Sequence, residues 1–362
     1  MVRAPVVFEY LESNPDTECF RMSYECRKNL YSRIESARGR PLLVYVTSTN
    51  ITNGGQMSLD SIPEFCEQIR TIPTDCRKVD LMVISQGGDA MVAWRIISLL
   101  REVFEEVDIL IPYSAQSAAT ILSFGADNII MHPFACLGPI DPQVTIRRDN
   151  NTVKVFSVED IRSYAEYLSE DCGVDTDHGD TTGSRAVEHL LSELTPTEIG
   201  LVKKSMKMSE TLAKKLLSMH MDDEEVIEEL EKKFSGLTHH GYTVGRKEAK
   251  ESGLPVVDPD PVLEDLMWSV WLDLSEEMRC NVQFDPVNEV VRNESVMSRY
   301  RESIRSDTPF VECISTSYPV TVIESLRCRS SFDSTVTTTV VRNGLNMMFD
   351  VNASAQGWRR FT

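Results

Sequence analysis

Long apolar runs are missing from this sequence, and basic residues are in short supply. No uninterrupted apolar stretch is long enough to span a bilayer, and the start, Met1 to Glu9, lacks the apolar segment of a secretory signal. The 362 residues include 56 acidic but only 37 basic side chains, a formal net charge of -19. From the missing apolar segments we expect a cytoplasmic protein with no membrane span. Because such a charge repels nucleic acid and anionic lipid, we also expect no nucleic-acid partner.

Closely spaced cysteine pairs are missing as well. The nine cysteines are scattered from Cys19 to Cys328, and their odd number argues against a fully paired disulfide framework. The acidic segment 169–183 has four aspartates but no complete calcium-loop pattern, so we interpret it as a solvated loop. We therefore expect mostly free thiols and no metal site.

Strands and helices alternate along the first part of the chain. Over the full sequence, 41% of the residues are hydrophobic, which is enough for a substantial core. Apolar spacing at Val92, Ile96, Leu99 and Val103 is typical of a helix. This alternation predicts an α/β fold with a largely parallel sheet and ligands at the carboxyl ends of its strands. The predicted strands are 41–47, 79–84, 107–111 and 128–131.

Signals later in the chain predict a hairpin at 143–156, helices and a strand-rich end. Thr195, followed by Pro196 and by Glu198, is the start signal of a long helix. Asn343-Gly344 between two runs rich in Val and Thr predicts a second hairpin. Further helices are expected at 222–234 and 261–278. The predicted division is an N-terminal helical segment, 1–40, a main domain, 41–287, and a small strand-rich domain, 288–362.

Two short motifs could carry chemistry. Gly87-Gly88 directly follows a predicted strand, where glycines let a ligand approach the backbone and leave amide groups free, although an isolated Gly-Gly pair is more often an ordinary tight turn. Ser117, flanked by small residues, opens a predicted helix whose N-terminus favours an oxyanion. Ser117 or Ser114 could instead be an ordinary helix cap.

The order of these motifs resembles the serine dehydrogenase proteinase family, which is related to signal peptide peptidase A and to the Clp protease and crotonase superfamily. The resemblance covers about 41–257. It implies a Clp protease/crotonase-like spiral core, Ser117 as nucleophile, and the backbone N–H groups of Gly88 and Ala118 as an oxyanion hole. The segments that carry it are 83–89, 115–120, 125–131, 137–143, 237–242 and 248–254.

The resemblance leaves the general base open. Lys204 matches a family lysine on the long capped helix, and burial near the sheet would favour its basic form, although a solvated helix face is the commoner interpretation of such a lysine. His240 matches a histidine of the closing motif, and Lys154 on the hairpin is a third possibility. Where related proteases have a lysine, this sequence has Arg162, which hardly deprotonates.

Two further residues fit the base role less well. His132 directly follows a strand, which favours a structural histidine. Asp141 falls close to where the Clp subunit has its histidine, so that triad is not carried over intact.

The favoured hypothesis is a serine peptidase that needs no metal or organic cofactor and acts on a polypeptide substrate. The resemblance also implies a homo-oligomer, and a partner such as an unfoldase is conceivable. One alternative is a catalytically inactive binding or scaffold protein of the same fold. Another is a crotonase-like enzyme acting on an acyl thioester.

Overall fold

The structure is a computed structural model, and it describes residues 23–50, 54–147, 153–157, 163–164, 166–171, 194–237, 241–282 and 285–361. The α-helices of this part, α1 to α10, are Tyr24–Arg38, Ile62–Arg70, Ala90–Val103, Ala118–Ser123, Pro196–Leu217, Glu224–Ser235, Arg246–Glu251, Pro261–Glu277, Pro286–Arg292 and Glu294–Arg305. The strands, β1 to β13, are Leu42–Thr47, Lys78–Ile84, Glu106–Ile111, Ser114–Ala115, Asn128–Met131, Cys136–Leu137, Gln143–Arg147, Val153–Ser157, Val244–Gly245, Val256–Val257, Val311–Ser325, Arg329–Asn343 and Asn346–Phe361.

An eight-stranded mixed sheet forms the centre, in the order β10-β5-β3-β2-β1-β11-β12-β13. The strands from β10 to β1 run parallel, whereas β11, β12 and β13 are antiparallel to their neighbours. Two smaller sheets, β4-β6-β9 and the hairpin β7-β8, accompany it. The predicted α/β class, with a ClpP-like core and a strand-rich C-terminal part, is confirmed.

Helices cover both faces of the parallel half. Side chains of a strand alternate between faces, so Leu43 and Tyr45 join the core beneath α2 to α6, and Leu42 and Val44 pack on the opposite side against α1 and α8. Burial on both faces explains why these strands are continuously apolar in sequence. The carboxyl ends of the strands are left to loops, which can hold polar groups.

The long helix α5 begins where the sequence predicts it. The N–H of Glu198 donates to Thr195 Oγ1 at 3.3 Å, and the N–H of Thr195 donates to Glu198 Oε2 at 2.6 Å, a complete capping box. The predicted strands, the helices α6 and α8, and both hairpins are also present in the described residues.

The C-terminal strands extend the main sheet. Strand β11 pairs antiparallel with β1, from Leu43 opposite Ser325 to Thr47 opposite Thr321. The helices α9 and α10 precede these strands, although no helix was predicted there. The division into domains at about residue 288 stays a prediction.

Six described cysteines are free thiols, as expected, but Cys26 is disulfide-bonded. None of the helices within the described ranges combines the length and apolar character that a membrane span needs.

Candidate active site

A cavity of about 940 Å³ lies where loops leave the carboxyl ends of the parallel strands. Its lining includes the residues after β1, the turn after β2, the start of α4 and one side of α5. Ser117, Gly88, Ala118 and Lys204 all line it. The structure thus brings together four of the five residues predicted for the site.

The Gly87-Gly88 turn is held on one side by Met57. The N–H of Met57 donates to Gly87 O at 2.8 Å, and the N–H of Asp89 donates to Met57 O at 2.9 Å. Gly88 has a φ of 145°, and a Cβ added to it would lie 2.5 Å from both the N and the O of Met57. A close approach of two backbones therefore requires glycine here.

Two backbone N–H groups of the cavity wall, those of Gly88 and Ala118, find no acceptor in the part of the chain that the structure describes. In a trans peptide the C=O and the next N–H point in opposite directions, so the N–H of Gly88 points away from Met57. Ala118 is the first residue of α4, and the first N–H groups of a helix have no acceptor within that helix. Among the described residues neither group donates a hydrogen bond. Such a pair can bind a developing negative charge.

Ser117 has an unusual backbone for a side-chain-bearing residue. Its φ is 51° and its ψ is -118°, a conformation that costs about 1–3 kcal/mol. It occupies the N-cap position of α4, but its hydroxyl makes no capping hydrogen bond. The half-buried hydroxyl is therefore available to the cavity.

Ser114 is not the cap of α4. Its hydroxyl accepts a hydrogen bond from Gln86 Nε2 at 3.2 Å. The ordinary-cap interpretation thus fails for both serines.

Of the candidate bases, only Lys204 has a side chain that the structure describes at the cavity. Lys204 on α5 lines the cavity and is exposed, as the solvated-face interpretation of this helix predicts. Its neighbours on the lining of α5 are Leu201, Ser205 and Met208. His240, Arg162 and the side chain of Lys154 lie outside the described residues.

His132 has the structural role predicted for it. Its Nδ1 accepts from the N–H of Phe134 at 3.1 Å, and its ring stacks on Trp268 with 5.1 Å between ring centroids. Burial, helped by the charge of Arg246, lowers the pKa of His132 to about 4. Neither His132 nor the buried Asp141 is among the described lining residues of the cavity.

Two residues that shape the site, Met57 and Ser85, were not predicted from the sequence. Met57 pairs as a β-bridge with Gly88. Ser85 is fully buried and accepts a hydrogen bond from the N–H of Gly87 at 3.0 Å. A serine two residues before a Gly-Gly turn is a typical side-chain-to-backbone signal, whereas nothing local marks Met57.

Comparison with known proteins finds similar sequences over the segment that holds the glycine turn and Ser117. Residues 55–166 match the ClpP-like SDH-type serine proteinase family. An uncharacterized protein of Methanocaldococcus jannaschii is 33% identical over 88 residues, 24% of this chain and 30% of its own length. A second uncharacterized protein of that organism is 25% identical over 200 residues, 55% of this chain and 59% of its own length.

The chain therefore spans less than two thirds of either relative. The family match contains Gly88, Ser117 and Ala118 but ends before Lys204 and His240. The similarity to the ClpP-like SDH-type serine proteinase family thus covers residues 55–166, the segment that holds the glycine turn and Ser117.

Proposed function

We propose that this protein is a serine peptidase in which Ser117 is the nucleophile. One observation carries the proposal. Ser117, whose backbone is strained and whose hydroxyl does not cap α4, lines the same cavity as the Gly87-Gly88 turn. A strained backbone that persists in a folded chain is typical of functional sites. The peptidase-type family match over the same segment supports it.

The N–H groups of Gly88 and Ala118 form the oxyanion hole in this proposal. When Ser117 Oγ attacks a peptide carbonyl carbon, the carbonyl oxygen becomes an oxyanion between the two donors. One such donor contributes about 3 kcal/mol to the transition state. Because the two amides make no competing hydrogen bond among the described residues, no bond has to be broken before they act.

Lys204 is the proposed base. Among the described residues that line the cavity, it is the one basic side chain. In its neutral form it accepts the proton of Ser117 and delivers it to the leaving amine, after which water hydrolyses the acyl-enzyme. His240 remains the alternative base.

Labelling with a fluorophosphonate serine probe, together with peptide hydrolysis, tests the nucleophile. We expect the wild type to be labelled and Ser117→Ala to be neither labelled nor active. Labelling that survives in Ser117→Ala would refute Ser117 as the nucleophile, and a wild type that never reacts would favour the inactive scaffold. Acyl-thioester turnover that survives the same substitution would favour the crotonase-like alternative.

A matched pair of lysines tests the base. Lys203 is exposed on the same helix but is absent from the described lining of the cavity. Lys204→Ala should lower kcat by about 10²- to 10⁴-fold, and Lys203→Ala should leave it unchanged. If Lys204→Ala retains full activity while His240→Ala loses it, the base is His240.

The assembly and the partners of the protein belong to the same proposal. The ClpP-like family match supports a polypeptide substrate and a homo-oligomer. An unfoldase partner and a cytoplasmic location stay predictions. Light scattering of the purified chain measures the oligomer directly, and a monomer at all concentrations would contradict that part.

A further inference from the structure

We propose that Ser85 is a positioning residue that holds the oxyanion turn and the nucleophile segment at a fixed separation. Its hydroxyl binds the Gly87-Gly88 turn, and its backbone binds the segment that leads into Ser117. The kinetic part of this inference rests on the proposed function, whereas the structural part does not.

The hydroxyl of Ser85 fixes one end of the turn. It accepts from the N–H of Gly87 at 3.0 Å and shares a hydrogen bond with Thr47 Oγ1 at 2.7 Å. Both hydroxyl-bearing residues are 0% exposed, so water does not compete for either bond. Thr47 is β-branched and sits at the end of β1, which makes it a stiff support for Ser85.

The backbone of Ser85 fixes the nucleophile segment. Its N–H donates to Ser114 O at 2.9 Å, and its C=O accepts from the N–H of Gln116, also at 2.9 Å. Ser85 thereby pairs as a parallel bridge with Ala115, two residues before Ser117. One residue is thus bonded to both halves of the proposed catalytic arrangement.

The two halves are in direct contact, so their separation is sensitive to Gly87. A Cβ added to Gly87 would lie 2.7 Å from Ser117 Cβ. Gly87 is bonded through its N–H to Ser85 and through its C=O to Met57. Those two bonds set both peptide planes of Gly87 and therefore the direction of the next N–H, that of Gly88.

Loss of the Ser85 hydroxyl should therefore tilt the peptide that carries the Gly88 N–H. The oxyanion forms only in the transition state, so a tilted donor lowers kcat and leaves KM nearly unchanged. A merely structural buried serine would lower stability and move neither kinetic constant. This difference separates positioning from packing.

The test compares Ser85→Ala with Ser269→Ala in the full chain. Ser269 is also buried and donates its hydroxyl hydrogen bond to Asp265 O at 2.7 Å, on α8. Ser85→Ala loses two hydrogen bonds, to Gly87 and to Thr47, and Ser269→Ala loses one within its own helix, so only the first variant loses a contact to the turn. Thr47→Val, which removes the supporting hydroxyl at nearly constant shape, provides a second and milder perturbation.

The first measurement is amide hydrogen exchange at Gly87 by NMR, which does not need enzyme activity. We expect exchange at least about tenfold faster in Ser85→Ala than in wild type, no change in Ser269→Ala, and an intermediate rate in Thr47→Val. Unchanged exchange at Gly87 in Ser85→Ala would overturn the proposal.

The second measurement is peptide hydrolysis. A small misplacement of a catalytic group can cost about 10²-fold, so kcat of Ser85→Ala should fall by roughly 10- to 100-fold with KM within about twofold. Equal kcat in the Ser85 and Ser269 variants, with an active wild type, would overturn it as well. If the wild type does not hydrolyse peptides, the proposed function fails, and exchange at Gly87 alone decides whether Ser85 holds the turn.

Discussion

Replacing Gly88 with alanine should abolish most turnover while the protein still folds. The added Cβ would lie 2.5 Å from the N and O of Met57, and these are backbone atoms that cannot rotate away. The φ of 145° adds strain for any L side chain. Either the turn or the Met57 segment must move, and the Gly88 N–H moves with it.

The magnitude follows from the loss of one oxyanion donor. Removing such a donor costs about 10²- to 10³-fold in kcat, which is roughly 3–4 kcal/mol of transition-state stabilisation. Gly344 in the β12-β13 turn is the matched control, because it also has a positive φ, 64°, but nothing within 4 Å of an added Cβ. Gly344→Ala should cost about 1–2 kcal/mol of folding free energy through backbone strain and leave kcat unchanged.

The assay combines kcat on a peptide substrate with urea unfolding of both variants. The expected pattern is a large kcat loss in Gly88→Ala alone, with both variants folded at low urea. A kcat for Gly88→Ala within about threefold of Gly344→Ala would show that this amide does not bind the oxyanion, because the clash leaves no way to keep its position.

Three further predictions concern stability, each measured by urea unfolding. The pKa of His132 is about 4 in the fold against 6.5 in the unfolded chain, so between these values the unfolded state binds more protons. Wild type should therefore lose up to about 3 kcal/mol relative to His132→Gln as the pH falls from 7 to 4, and a constant difference would contradict this. Glu324→Gln should cost roughly 3 kcal/mol because it weakens a fully buried pair with Arg27. Glu228→Gln, in an exposed pair with Lys232, should leave stability nearly unchanged, and equal losses in the two variants would refute the assignment. Thr195→Ala should cost about 1 kcal/mol by removing the capping box, and no loss would mean that α5 does not depend on its cap.

The parallel half of the fold could be predicted because its signals are local. Each buried strand is a short apolar run, and caps such as Thr195 mark where helices begin. The pairing of β11 with β1 could not be predicted, because it joins residues about 280 positions apart and no short pattern encodes it. Helix α9 did have a local signal, Asp285-Pro286, which the Thr- and Val-rich composition after it outweighed.

For the site, too, only the residues that carry a local sequence signal could be predicted. Ser117 and Gly88 could be found from the order of short motifs along the chain. Met57 could not, since its contact with Gly88 arises only when two loops meet at the sheet edge. Whether Lys204 is buried could not be decided from the sequence, because helical spacing alone does not say how far a helix end extends beyond the core.

The packing of α5 shows that Lys204 is held less firmly than the nucleophile and the oxyanion turn. Its C-terminal half packs into the core through Leu212, Ala213, Leu216 and Leu217, whereas residues 196–208 bury only Val202 among their described side chains. The nucleophile and the oxyanion turn, by contrast, rest on strand ends and on Ser85. Lys204 therefore lies on the less anchored half, where a substitution removes few packing contacts. We infer that loss of Lys204 lowers the rate without lowering stability, whereas loss of a buried base would change both.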